Sequence, residues 1–416
     1  MHEAAGMAGA LNLVLNLKRY IRRSVRNLHD VKPAYQAGRH AMKYRLYKPN
    51  ELSAEQWQIY TDLRNAREIY DDPFFDPDYA RLVGEVRDDT RIGFASDGDG
   101  VFAVWALHLR PGNWARPIGA PFSDWNGPIL SEDTELTVQE ILAGFDISGM
   151  TTAGLMPNSF VPSPGLERVG ANMTDLSAGW DSFIDDQEKR WPKHFKKMRR
   201  IYRKVEREFE QFRFEWDDRD DAIYRKTLTL KQEQFARTGY HDVLKAPWAR
   251  ALLDRLRTFE GPRLRARLST LYFGDQFAAS EFNLQSDKVL HGWITAFDQE
   301  LGNFSPGNML VQEMLPEACK DGLVLYDAGP GLDHYKRHYA NLHFPIEAGV
   351  VPGATEQLRP SRVAGKAWRL GEQVMPSKAS ALMARARRRM DQIAAVETSL
   401  AGRASGLWHA LGNRPV

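Results

Sequence analysis

The chain has 416 residues, 43% of them hydrophobic and 26% charged, and a net charge of +2. This suits a globular protein of two or three domains and excludes a collagen-like or disordered chain. One cysteine, Cys319, excludes an internal disulfide and a cysteine-built structural zinc site, and it fits a reducing cytosol.

The charge is unevenly placed. Residues 1–48 carry +8 and residues 355–416 carry +7, which leaves −13 on the body between them. An acidic body argues against a nucleic-acid-binding core, and basic ends suit an anionic surface or a partner. Near the start, Leu11, Val14, Leu17, Ile21, Val25 and Leu28 recur at helical spacing with arginines between them. An amphipathic helix is expected there, either lying on anionic lipid or packed on protein. Its charges follow the apolar segment, the reverse of a signal peptide, and no apolar run approaches the roughly 20 residues of a membrane span.

From residue 42 the pattern turns mixed. "MKYRLYK" predicts a strand, and Ser53 caps a helix over "AEQWQIYTDLRNAREIY". "DPDYARLVGEVRDD" predicts a second helix. "RIGFASDGDGVFAVWALHLR" predicts two strands joined at "DGDG". "LTVQEILAGF" predicts a helix and "MTTAGLMP" a strand. Next comes "WDSFIDDQEKRWPKHFKKMRRIYRKVEREF", with a helix restarting at Pro192. Ile184, Trp191, Met198 and Val205 repeat every seven residues, with Phe195, Tyr202 and Phe209 between them. The opposite face holds ten Lys/Arg between 189 and 207, either a solvated face or a grip on phosphates.

The element order then repeats. "FRFEW" is a strand. "DAIYRKTLTLKQEQFAR" and "PWARALLDRLRTFE" are helices. "RLRARLSTLYFG", "QFAASEFNLQ" and "VLHGWITAFD" are strands. "NMLVQEMLPEACKDG" is a helix ended by Gly322. "LVLYDAG", "LDHYKRHYAN" and "LHFPIEAGV" close the unit as strand, helix and strand. A basic tail follows, with Leu382, Ala386, Met390, Ile393 and Leu400 on one helical side and "RARRR" near the other; membrane, partner and ligand all remain open for it. The expected fold class is α/β with a mixed sheet: two tandem lobes joined by a long basic helix, with helical extensions at both ends. The divisions are 1–41, 42–178, 179–210, 211–352 and 353–416.

Between the strand ending at Asp298 and the helix starting near Asn308 lies "QELGNFSPG". Helix starts leave N–H groups unpaired and seat anions. Gly307 allows close backbone approach, and Ser305 donates a hydroxyl or caps the helix.

The repeated order, with this loop after the fourth strand, resembles the GNAT acyltransferase fold. "FFDPDYARLV", "SDWNGPIL", "KKMRRIYRKVER", "FSPGNMLVQEMLPEACKDG" and "YDAGPGLDHYKRHYA", in this order over residues 42–350, resemble the CelD/BcsL type of GNAT protein of cellulose and exopolysaccharide synthesis. That type is distantly similar to the Fem-type aminoacyltransferases. The resemblance implies that the loop holds the pyrophosphate of acetyl-CoA or another acyl-CoA. Ser305, Gly307, Asn308 and Met309 are then the cofactor-binding candidates, and no metal is expected. The usual phosphate loop has more glycines and a basic or amide residue, and "FSPGNM" departs from it.

Acyl transfer needs a base for the acceptor, a dipole for the oxyanion and an acid for the leaving thiolate. Asp298, beside the loop, is a candidate base or a turn cap. Asp327 ends the next strand, as a catalytic carboxylate or a turn former. Tyr335 sits where the fold often places the acid that protonates the thiolate. Lys336 suits a phosphate or acceptor carboxylate. Asp124, Trp125 and Asn126 suit a sugar ring or build a turn, and His241 suits an acceptor contact. His291, further from the loop, reads as a surface residue.

The expected activity is acyl transfer, most simply of acetyl, to an amino sugar or sugar-linked, lipid-linked precursor in exopolysaccharide synthesis. The expected place is the cytoplasm, at the inner face of a membrane, with no nucleic-acid partner. A Fem-like aminoacyltransferase and a non-catalytic regulator of polysaccharide export are the alternatives.

Overall fold

The computed structural model describes residues 18, 42–132, 134, 136–157, 166–331, 336–353, 368, 370, 374–375, 377–399 and 402–404. The helix expected over 11–28 and Tyr335 lie outside these residues. Lys18 alone is described from that N-terminal region, with its Nζ 2.5 Å from Asp175.

Thirteen strands form one mixed sheet. The first lobe supplies β1 (Lys43–Tyr47), β2 (Thr90–Ser96), β3 (Val101–Arg110), β4 (Trp114–Pro117), β5 (Ile129–Leu130), β6 (Gly149–Leu155) and β7 (Glu167–Asp175). The second supplies β8 (Phe212–Glu215), β9 (Arg265–Phe273), β10 (Gln276–Gln285), β11 (Val289–Phe297), β12 (Leu325–Pro330) and β13 (Leu342–Pro352). The spatial order is β1-β2-β3-β4-β6-β13-β7-β12-β11-β10-β9-β8, with β5 beside β3. All neighbours are antiparallel except β4 with β6 and β11 with β12, one parallel pair per lobe.

The two lobes exchange their last strands. β13 pairs with β6 of the first lobe, β7 pairs with β12 of the second, and β7 and β13 pair with each other. The exchange gives an edge in the middle of each lobe's sheet a partner from the other lobe. β7 and the short β4 and β5 were not among the strands expected from sequence.

The helices form where caps and periodicity place them. α1 (Ala54–Asn65) opens on Ser53, which accepts from the Gln56 N–H in a reciprocal capping box. α2 (Pro77–Val86) is capped by Asp76, and α3 (Val138–Gly144) by Thr137 with Glu140. α4 (Trp180–Arg190) and α5 (Pro192–Phe209) meet at Trp191, where Pro192 starts the new helix. α5 buries Phe195, Met198, Ile201 and Val205 and leaves its cations outside. α6 (Asp221–Thr238) ends on the left-handed Gly239, and α7 (Pro247–Thr258) follows. α6 covers one face of the second lobe through Thr227 on Ser280 (2.6 Å) and Tyr224 on Phe282. α8 (Pro306–Lys320) covers the other, with Met314 against Asn283. Gly322 follows α8 at φ +80°, as expected. α9 (Lys336–Tyr339) lies between β12 and β13, and α10 (Ser377–Val396) is the tail helix. No helix among the described residues is long and apolar enough to cross a membrane.

Candidate active site

The parallel pair of the second lobe is short. β11 and β12 are in register only at Val289 with Leu325, Leu290 with Tyr326 and His291 with Asp327. Beyond that point β11 stays on β10 as far as Phe297 while β12 leaves it. The β10–β11 ladder also skips a residue: Phe282 faces Ile294 and Asn283 faces Gly292, so Trp293 is bulged. Bulges of this kind re-aim a strand beside a functional site. A wedge therefore opens above His291 and Asp327.

The turn before β5 fills the mouth of that wedge from the first lobe. Asn126 anchors the turn to β6: its amide donates to the Ala153 carbonyl at 2.8 Å and accepts from the Thr152 hydroxyl at 3.0 Å. Gly154, at φ +79°, is needed beneath it, because a Cβ there would lie 1.8 Å from the Asp124 carbonyl oxygen. The Trp125 indole N–H donates to Asp327 Oδ2, and the Gly329 N–H donates to Asp327 Oδ1 at 2.7 Å. Asp124 is thereby aimed at His291, with its Oδ2 3.2 Å from Nε2.

His291 is fully buried, contrary to the expected surface position. It sits at a register position of a strand covered on both faces. Its Nδ1 lies 3.4 Å from Asp327 Oδ2 and 3.7 Å from Asp72 Oδ2, and the Phe74 ring packs edge-on at 4.8 Å. Burial by itself lowers the imidazole pKa. Hydrogen bonding to Asp124, Asp327 and Asp72 outweighs it and raises the pKa well above the ordinary value. Burial raises Asp72 against the opposing pull of His291. Asp72, His291 and Asp327 have ligand atoms within 4.8 Å of one another, close enough to hold a metal ion. A protonated imidazole between carboxylates satisfies the same cluster by ion pairing.

Next to this cluster Glu281 is 1% exposed and accepts from Thr295 Oγ1 at 2.5 Å and Tyr326 OH at 3.0 Å. Burial raises its pKa, and these two hydrogen bonds oppose the rise. A Cβ on Gly292 would lie 2.8 Å from Glu281 Oε1, so this pair is sealed under β11.

A cavity of about 170 Å³ stands over Asp124, lined by Phe122, Lys231, His241, Trp293 and Gln392 among others. The Asp124 side chain is 33% exposed, whereas Asp327 is fully buried. Asp124 is thus the carboxylate of this cluster that a ligand in the cavity reaches. Burial lowers the pKa of His241, and Glu397 opposes the shift.

The expected residues separate into groups. Asp124, Asn126 and Asp327 converge as described, and His241 lines the cavity. Trp125 is 2% exposed, packed 5.1 Å from Phe344, and its indole is engaged by Asp327, so no face is open for a sugar. Asp298 accepts from the Glu300 N–H at 3.0 Å and caps a 3-10 helix over Gln299–Phe304; it is a turn cap and does not line the cavity. Asp327 acts as an anchor, because burial denies it to a substrate. Lys336 is 9% exposed and donates to the Pro330 carbonyl at 3.1 Å.

The loop before α8 is more regular than expected. Ser305 adopts φ +50° and its side chain makes no cap bond, and Pro306 is the first residue of α8. The Asn308 and Met309 N–H groups donate back to the Ser305 carbonyl at 3.0 and 3.2 Å. Met309 is a fully buried core side chain. Gly307 faces open space, with nothing within 4 Å of a Cβ built on it.

Asp72, Glu281, His291, Trp293 and Gln392 were not among the expected site residues. For Asp72 the signal was ambiguous, since "DDPFFDPD" reads as a string of helix caps. For His291 the signal was present, since "VLHGWITAF" is a near-continuous apolar run of the kind found in strands covered on both faces.

A mixed α/β architecture of two lobes, each with a splayed parallel pair, is the class that this fold and cleft define. Residues 192–337 match the family model described as an acetyltransferase (GNAT) domain. The chain is also similar to three solved structures. One is the C-terminal domain (DUF2156) of a putative lysylphosphatidylglycerol synthetase from Agrobacterium fabrum, at 12% identity and TM-score 0.40, covering 76% of this chain and 96% of that one. Another is a tandem GNAT protein from the clavulanic acid biosynthesis pathway, at 11% identity and TM-score 0.41, covering 74% and 97%. The third is a conserved protein of unknown function from Bacteroides thetaiotaomicron VPI-5482, at 11% identity and TM-score 0.45, covering 72% and 98%. No curated protein matches the chain significantly in sequence.

Proposed function

We propose that the protein is an acyltransferase that moves an acyl group, most simply acetyl, from acyl-CoA to an amine in the cleft between its lobes. The observation that carries this reading is Asp124, a partly exposed carboxylate of one lobe held at the open wedge of the other by buried His291. The GNAT-domain match over the second lobe supports the donor class.

In this reading the acceptor amine lies over Asp124, and the Asp124 carboxylate takes its proton as nitrogen attacks the thioester carbonyl. The C–N bond forms, the C–S bond breaks and CoA leaves as the thiolate, with the amine's proton held on Asp124 until it passes to the departing thiolate or to solvent. His291 touches no reacting atom. It fixes the rotamer of Asp124 and stabilises its charge, with Asp327 and Asp72 holding the imidazole in turn. Open Gly307 suits close approach of the donor's phosphates. The acceptor class we favour is an amino sugar or a sugar-linked precursor of a cell-surface polysaccharide, reached by a chain placed at the inner face of a membrane.

Calorimetry with acetyl-CoA tests the donor. We expect binding by the full chain and its loss in Gly307→Trp, which blocks the start of α8 without touching the core. A full chain that ignores CoA esters sinks the reading.

A second reading has its own observation. α5 presents Lys193, Lys196, Lys197, Arg200 and Arg203 to solvent with no acidic partner among the described residues. That face favours a larger anionic donor, an aminoacyl-tRNA. Salt-dependent tRNA binding that is lost on reversing these five charges would favour it over acyl-CoA.

A further inference from the structure

The basic tail reads from sequence as an appendage. Its helix α10 is instead docked on both lobes at its C-terminal end. A helix end leaves its last carbonyls without intrahelical donors. Here they are taken by buried side chains of the body. Arg110 Nη2 donates to the carbonyls of Ala394 at 2.7 Å and Glu397 at 3.0 Å. The Trp248 indole donates to the Val396 carbonyl at 3.0 Å. Arg87 lies 4.5 Å over the Trp248 ring and reaches the Ala395 carbonyl at 3.5 Å. Two buried guanidinium groups also complement the negative end of the helix dipole. Asp89 holds both arginines, at 2.7 Å to Arg87 and 3.0 Å to Arg110. Ile393 and Val396 are each 1% exposed, and Asp391 pairs with Arg116 at 2.8 Å.

This docking has a consequence one residue further back. Gln392 faces the cavity over Asp124, together with Trp293 of β11 and Lys231 and Phe235 of α6. The cavity thus takes walls from both lobes and from the tail. Its floor carries a carboxylate, and its sides offer aromatic surface, an amide, His241 and the Lys231 amine, which is turned to the Thr295 carbonyl at 3.3 Å. We propose that α10 is a wall of the acceptor site, and that Gln392 contacts an acceptor whose primary amine lies over Asp124. Resting on the acyl-transfer reading, this assigns the tail to substrate selection and makes Gln392 a specificity-determining residue.

The test uses no CoA, so it is independent of donor binding. In the full chain carrying Cys319→Ser, Gln392→Cys is reacted with cationic 2-aminoethyl methanethiosulfonate and with anionic 2-sulfonatoethyl methanethiosulfonate. The surface variant Tyr240→Cys gives the intrinsic rate ratio. We expect an additional preference for the cation of about tenfold at position 392, lost when Asp124→Asn is added, because a cleft focuses the field of its charges. A ratio equal to that of Tyr240→Cys, or no labelling at position 392, overturns the proposal. Should Gln392→Cys fold poorly, Phe235→Cys on the opposite wall serves as reporter. Its labelling should accelerate about tenfold when Arg110→Ala releases the helix end, since one wall then opens. An unchanged rate overturns the proposal as well.

Discussion

Asp124 and His291 are 167 residues apart in sequence and 3.2 Å apart in space, joining the two lobes at Oδ2 and Nε2. This contact crosses from the turn before β5 to the last position at which β11 pairs with β12. It orients a carboxylate that faces the cavity on one side and a buried imidazole on the other. If the acyl-transfer reading holds, Asp124→Asn lowers kcat by about 10² to 10⁴. It leaves the Kd for acetyl-CoA within about twofold, as expected of a group that acts on the acceptor proton. Initial rates with a panel of amines, read as thiol release, check it. A rate unaffected by the substitution removes Asp124 from the chemistry.

His291 makes the fold sensitive to alkali. Its folded pKa lies above the unfolded value of about 6.5. The folded state therefore binds more protons between these two values. The stabilisation is fully present below about pH 6.5 and is lost as pH rises through the raised folded pKa. Asp72, also raised, acts with the same sign at its own titration. Urea midpoints measured from pH 6 to 9 should fall with rising pH in the native chain. They should fall less steeply in His291→Gln. Parallel curves for the two proteins would remove His291 as the source.

Two glycines shape the seat of Asp124. A Cβ at Gly154 would lie 1.8 Å from the Asp124 carbonyl, and the φ there is +79°. A Cβ at Gly329, φ +75°, would lie 2.8 Å from Asp124 Oδ2. Gly154→Ala should destabilise the chain by about 1 kcal/mol or more, as strained backbone and a displaced turn require. Gly329→Ala should displace the carboxylate itself and depress activity by more than its loss of stability explains. Gly307→Ala is the contrast, since nothing stands near its Cβ, and its midpoint should not fall.

Trp125→Phe removes the indole N–H and part of a ring from a buried place. The indole N–H that Asp327 accepts has no substitute nearby, and Asp327 is fully buried. A loss of about 1–3 kcal/mol is expected in a urea melt. The loss should be larger than for Trp216→Phe, whose indole reaches Asp321 at an exposed site.

Acid should spare the tail until low pH. Burial pushes the Asp89 carboxyl up, but hydrogen bonds from His108 and Arg87 outweigh it and hold Asp89 well below the usual range. Burial, with Arg87 nearby, holds His108 down at about 4, so the ring is neutral at pH 7. The Gly119 N–H donates to His108 Nε2 at 2.8 Å, which places the ring proton on Nδ1, 3.1 Å from Asp89. The stability from Asp89 is present above about pH 3.9 and is lost as pH falls through its lowered folded value. Hydrogen exchange at Ile393 and Val396 should stay slow from pH 7 to about 4. Arg110→Ala should raise it at every pH, and should cost about 1–3 kcal/mol, because the carbonyls at the end of α10 lose a charged donor.

Local features were legible in the sequence because local physics sets them. Ser53 with Gln56, Pro192 at a helix start and Gly322 after α8 are decided within one turn of chain. The seven-residue spacing from Ile184 to Val205 was enough to place the apolar face of α5 inward. Much of the order of elements followed from these signals, without β4, β5 and β7, and so did the mixed α/β class. β7 was not legible, because its residues are indifferent to which strand they pair with. Its place between β12 and β13 comes from two open edges of the other lobe. Asp298 read as a base or as a turn cap because it stands beside a loop, and the Glu300 N–H takes it as a cap. Asp124 read as one of three residues that suit a sugar ring or build a turn, and only folding brought His291 to it. A side chain's periodicity tells which way it points, and composition tells how much must be buried. Which distant partner it meets depends on the packing of both lobes and the tail, so the site was decided only by the tertiary structure.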